Sequence, residues 1–267
     1  MPTRLRQFLV FAPPALLAAI NLTHPIIPPP VYTGVLHHLN WWLTLHVINL
    51  ALFPLLGLAA HLLLDEVRNR AAAVSRVAIT IYVPVYAAFD ALMGIGTGTL
   101  VQLSRPLPSE QTAAVVPLIN AFYDSAMLYN IAAVGSIAWV IAMLAAAVAF
   151  TAPERRRVVA IVAVLIFPVG GWARQNIFLA PDGVTITPAW WLVTFGVGLL
   201  MFALGKPRLP SGLLPLAGAL FGASHVTPTG PLGSACFLGA AAYVEFVMRR
   251  GKQMAKPNGP AGTGASP

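Results

Sequence analysis

The sequence predicts an all-α polytopic membrane protein: one bundle of about eight transmembrane helices over residues 1–250, then a disordered cytoplasmic tail at 251–267. Three observations predict it. Between Arg6 and Asp65 the chain runs 58 residues without an Asp, Glu, Lys or Arg, and further charge-free runs cover Ser125–Pro153, Gly183–Gly205 and Leu209–Val244. Hydrophobic residues make up 58% of the chain and charged residues 9%, against about 25% charged in an ordinary soluble domain. Mean hydropathy is +0.77. Such a composition cannot furnish a water-facing surface, whereas helices satisfy their own backbone polar groups and can cross lipid.

The expected spans, in order, are Gln7–Thr23, His38–Leu64, Val77–Leu103, Ala121–Ala149, Val158–Leu179, Ala189–Gly205, Ser211–His225 and Leu232–Met248. The first follows Arg4 and Arg6, as a signal peptide would. It carries Pro13 and Pro14 and no small-x-small cleavage site, so it reads as an uncleaved span. Before the fourth span, Ser109-Glu110-Gln111 has the form of a helix start. Ser211–His225 is short, about 22 Å as a helix against a hydrocarbon core of about 30 Å. Six spans plus a re-entrant hairpin is therefore the alternative. Beyond Gly251 the Gly, Pro, Ala, Ser and Thr residues have nothing to bury and should stay disordered.

Charge placement orients the chain. With a cytoplasmic N-terminus, Arg4, Arg6, Arg68, Arg70, Arg76, Arg155, Arg156, Arg157, Lys206, Arg208, Arg249, Arg250, Lys252 and Lys256 all fall inside. Only Arg105 and Arg174 fall outside or near the outer end. This positive-inside bias puts both termini in the cytoplasm and the protein in the plasma or inner membrane. Trp41, Trp42, Trp172, Trp190 and Trp191 gather near the outer boundary, where amphipathic rings are stable. The net charge of +8 is dispersed among loops, which argues against a nucleic-acid partner. Cys236 is the sole cysteine, so no intrachain disulfide forms. The expected partners are the bilayer and a small-molecule or ion ligand.

Chemistry concentrates toward the outer face. His38, Trp42 and His46 recur at i, i+4, i+8 with Asn49 continuing the stripe, and Tyr82, Tyr86 and Asp90 repeat that spacing on the third span. Lipid satisfies neither imidazole nor carboxylate, so these stripes should face the bundle interior. Asp124 lies at the outer end of the fourth span, and Arg174, on the fifth, is a partner for Asp124 or Asp90. Pro14, His24 and Pro30 recur at a constant offset as Pro215, His225 and Pro231, with Thr23 matched by Ser224. Two helices thus each deliver a histidine beside prolines to the outer surface.

Three functional readings follow. The first is a small permease-like or ligand-binding protein with an outward polar cavity, its ligand or ion path formed by Asp90, Asp124, Arg174, His46, Tyr86 and Asn49. The second is a membrane-embedded enzyme dependent on a transition metal or haem, with ligands drawn from His24, His37, His38, His46 and His225. Imidazole suits Zn, Cu and Fe, although no diagnostic spacing such as HExxH is present. The third is a structural subunit whose polar groups fix helix register. Gly94-Ile95-Gly96-Thr97-Gly98 lacks a preceding strand and a Lys-Ser/Thr ending, so it reads as close helix packing rather than a phosphate loop.

Overall fold

The computed structural model describes residues 2–173, 188–226 and 228–249, and every regular element among them is helical. Helix α1 spans Thr3–Asn21, α2 Val31–His37, α3 Leu39–Leu63 and α4 Arg70–Asp90. A π-helical turn at Ala91–Gly96 leads from α4 into α5, Thr97–Ser104. There follow α6 Ser109–Tyr123, α7 Ala126–Phe150, α8 Pro153–Ala173, α9 Pro188–Leu204, α10 Arg208–Ala223 and α11 Thr229–Ala242. A second π-helical turn, Tyr243–Met248, extends α11. The tail at 251–267 and Arg174 lie outside the described residues.

Among the described residues, four segments are long and apolar enough to cross a membrane: Leu39–Leu63, Arg70–Ser104, Ser109–Phe150 and Thr229–Met248. Large apolar side chains, among them Phe8, Val47, Val77, Val134, Leu192 and Leu199, stand exposed on the helices. Such a surface would aggregate in water and is well solvated by acyl chains, consistent with a helical membrane protein.

Lipid tails are as apolar as leucine, so shape fit and interhelical hydrogen bonds must hold these helices together. Helix α4 packs along α7, whose buried Ala138, Ala142 and Ala146 allow close approach. The Ser75 hydroxyl donates across that seam to the Ala142 carbonyl at 2.8 Å. Asn69 caps α4 by accepting from the Ala72 N–H at 2.9 Å, and its amide donates to the Ala149 carbonyl at 3.0 Å. The main core stacks Phe53, Tyr82, Trp139, Phe221 and Phe237. A smaller one, built on Val31, Tyr32, Val35, Trp42, Val101 and Ile119, joins α2, α5 and α6 to the start of α3.

Helix α10, expected to be a short span, runs between the two ends of the bundle. The Ser211 and Thr151 hydroxyls meet at 3.2 Å at one end. At the other, the loop after α10 delivers His225 to the Tyr86 hydroxyl at 3.1 Å. The helix stops at Ala223, so His225 sits in the loop rather than on the span to which the spacing assigns it.

The end holding residues 64–69 carries an ionic clamp. Arg6 donates to Glu245 at 2.7 Å and to the Leu62 carbonyl at 2.6 Å, and it also pairs with Asp65. Arg249 reaches Asp65 at 2.6 Å and Glu245 at 3.1 Å, and it pairs with Glu66. Glu245 and Arg249 pair one turn apart, and the Glu245 side chain, 3% exposed, is held by Arg6 as well. Partial burial alone would raise the Asp65 carboxyl; Arg249 and Arg6 outweigh it and hold Asp65 below its ordinary value.

Candidate metal centre

Three histidines from distant parts of the chain converge at the opposite end. His24 lies in the loop after α1, His46 on α3 and His225 in the loop after α10. A ring nitrogen of each lies within 4.8 Å of those of the other two, and all three side chains are buried. The His24 ring centroid is 5.3 Å from that of His46 and 5.3 Å from that of His225.

Each ring has one nitrogen engaged. His24 Nδ1 donates to the Pro25 carbonyl at 2.9 Å. A carbonyl only accepts, so this bond fixes the tautomer and leaves a lone pair on Nε2. His46 Nδ1 lies 2.8 Å from Asp90 Oδ1, the carboxylate–histidine arrangement that orients metal-ligating imidazoles. His225 Nδ1 pairs with the Tyr86 hydroxyl. The three Nε2 atoms are buried and have no hydrogen-bond partner among the described residues. Buried polar atoms without partners are costly and rare, and three on neighbouring rings call for an explanation. Burial first, and the neighbouring His46 second, push His24 down to about 4, so it is a neutral imidazole at physiological pH.

The local fold positions these groups. Asp90, 1% exposed, ends α4 where the backbone opens into the π-helical turn, a feature that often marks functional sites. Within that turn the Gly94 carbonyl accepts the Trp42 indole N–H at 2.7 Å. Gly94 is required there because a Cβ would collide with the His46 ring. Trp42 packs against both His24 and His46, with centroids 5.5 and 4.5 Å away. One turn deeper, Asn49 donates to Asn21 at 3.1 Å and Asn21 donates to the Leu17 carbonyl at 2.9 Å, tying α3 to α1 beneath the cluster. On the far side, Gly135 of α7 lets Tyr86 approach. A cavity of about 260 Å³ adjoins the cluster, lined by the three histidines, Asp90, Trp42 and Tyr86 and walled opposite by Tyr129 and Ser136 of α7.

The structure thus brings together His24, His46, His225, Asp90 and Tyr86, with Asn49 supporting them from below. His37 and His38 do not join them. Both are exposed at the α2–α3 junction, their rings 4.7 Å apart. His38 departs from the stripe of Trp42, His46 and Asn49 because α3 begins only at Leu39. Asp124 is exposed at the end of α6 and is not among the cavity-lining residues. Asp90 is bonded to His46, while Arg174, the expected partner of Asp124 or Asp90, lies outside the described residues. Trp42, a member of that stripe, is also a site residue: its place beside His46 follows from the i, i+4 spacing, whereas its place beside His24 comes from the packing of the loop after α1. No protein-family model, curated protein or solved structure matches the chain.

Proposed function

We propose that this chain is a multi-pass protein of the plasma or inner membrane that holds one divalent transition-metal ion between His24, His46 and His225. Eight spans with both termini cytoplasmic would put the site near the outer face. The observation that carries the reading is that three buried histidines bring one ring nitrogen each within 4.8 Å of the others, while every Nδ1 is engaged and every Nε2 is buried without a partner among the described residues. Zinc–imidazole bonds of about 2.0–2.1 Å need only small ring movements from this arrangement. Neutral nitrogen ligands favour zinc, copper or iron over magnesium or calcium. A cavity of about 260 Å³ is below the roughly 300–1,000 Å³ of ordinary ligand sites, which supports a bare ion rather than haem.

An ion-path reading draws on the same Asp90 and His46. Asp124 stands outside that cavity, and a path gives no role to three converging nitrogens. Titration of metal-stripped, detergent-purified protein with Co²⁺ tests the proposal. The expected result is one equivalent bound, with the intense visible absorption of a low-coordinate site. Weak binding unchanged in His24→Ala and His225→Ala would overturn it.

A further inference from the structure

We propose that this centre hydrolyses a neutral acyl ester or amide bond in an amphipathic substrate, with Asp90 taking the proton of the attacking water. The inference rests on the metal-centre reading and adds a reaction and a substrate class to it.

Three protein nitrogens leave a tetrahedral ion one open position, the arrangement of catalytic rather than structural zinc. All three histidines and Asp90 line the same cavity, so that position faces space a reactant can occupy. Asp90 Oδ1 holds His46 and also lies 3.8 Å from His225 Nε2. Its other oxygen, Oδ2, is buried without a partner among the described residues. A carboxylate oxygen left bare so close to the ligand nitrogens is placed to accept from a water at the open position.

The walls define the substrate. No Lys or Arg is among the cavity-lining residues described, whereas phosphate and carboxylate recognition calls for them. The ion's charge would then serve to polarise a neutral carbonyl. Trp42, Phe89, Met93 and Tyr123 supply an apolar wall. Tyr129 both lines the cavity and is 51% exposed on α7. The cavity therefore opens beside α7, where a hydrocarbon chain can lie. At about 260 Å³ it admits the reacting bond and its neighbours but not a whole lipid.

The step balances with water as sole co-reactant. The water oxygen bonds to the acyl carbon while Asp90 Oδ2 accepts its proton. The bond from that carbon to the leaving oxygen or nitrogen then breaks, and Asp90 returns the proton to the leaving atom. A carboxylic acid and an alcohol or amine result, and nothing is oxidised or reduced.

The test uses the full chain in detergent, saturated with zinc. Its substrates are p-nitrophenyl dodecanoate, a dodecanoyl anilide and bis(p-nitrophenyl) phosphate. The expected result is turnover of the acyl probes at least 100-fold above the His24→Ala protein incubated with the same zinc. Asp90→Asn should retain bound zinc under these conditions yet lose about 100-fold or more in rate, with partial recovery in Asp90→Glu. Acyl turnover no greater than that of His24→Ala, in a protein that holds stoichiometric zinc, would overturn the hydrolase and leave the metal centre standing. Failure to hold zinc overturns both. Phosphodiester turnover exceeding acyl turnover overturns the substrate class, and full activity in Asp90→Asn overturns its role.

Discussion

The two ends of the bundle each gather ionisable side chains from distant segments, and they differ in what is left over. At the clamp, Arg6 and Arg249 face Asp65, Glu66 and Glu245, and each charge has an opposite charge within reach; even Arg249 Nε, which makes no hydrogen bond among the described residues, lies 3.1 Å from Glu245. At the histidine cluster, Asp90 Oδ2 and three imidazole nitrogens have no partner among the described residues, although the cluster is at least as deeply buried. A network closed on itself fixes helix positions. One that stops short, with three buried imidazoles crowded together, is built around something else.

That contrast breaks most sharply by removing a ligand. His225→Ala should abolish stoichiometric metal, a loss greater than the 10–100-fold typical of outer-shell changes, as measured by competition with a chromophoric chelator. Arg6→Ala should leave metal affinity unchanged and destabilise the fold by about 3 kcal/mol. That is the low end for breaking a buried pair, since Arg249 still faces Glu245 and the exposed Asp65 contact adds little. Denaturant unfolding in mixed micelles would register it.

Two smaller changes sharpen the comparison. Gly94→Ala should cost about 1–3 kcal/mol of overpacking and weaken metal binding together, because the new methyl meets the His46 ring. Tyr86→Phe should lower metal affinity about 10-fold with little change in unfolding, since it removes only the group that orients His225. The smallest effect concerns pH. Asp65 is held below its ordinary value in the fold, so its contribution is complete above the unfolded value near 3.9 and is lost as pH falls through the folded one. Thermal stability should therefore drop below about pH 4 in the wild type, and less so in Asp65→Asn.

Much of this was legible in the sequence because lipid constrains it so tightly. The charge-free runs gave the helical segments, and Ser109 does begin α6. The stripes Trp42–His46–Asn49 and Tyr82–Tyr86–Asp90 do turn inward. The matched His24 and His225 are neighbours at 5.3 Å, which their constant offset does not imply. What stayed hidden depended on three-dimensional pairing. Spacing could not tell that α3 starts one residue after His38, which leaves that ring outside. Nor could it tell that the backbone widens into a π-helical turn just after Asp90, or that Arg6 reaches Glu245 across 239 residues.

Elemental analysis of the untagged wild type purified in mild detergent, beside Arg6→Ala and His24→Ala, bears most directly on the metal centre. The expected outcome is close to one equivalent of zinc, copper or iron in the wild type and in Arg6→Ala, and none in His24→Ala. Equal, substoichiometric metal in all three proteins would contradict it.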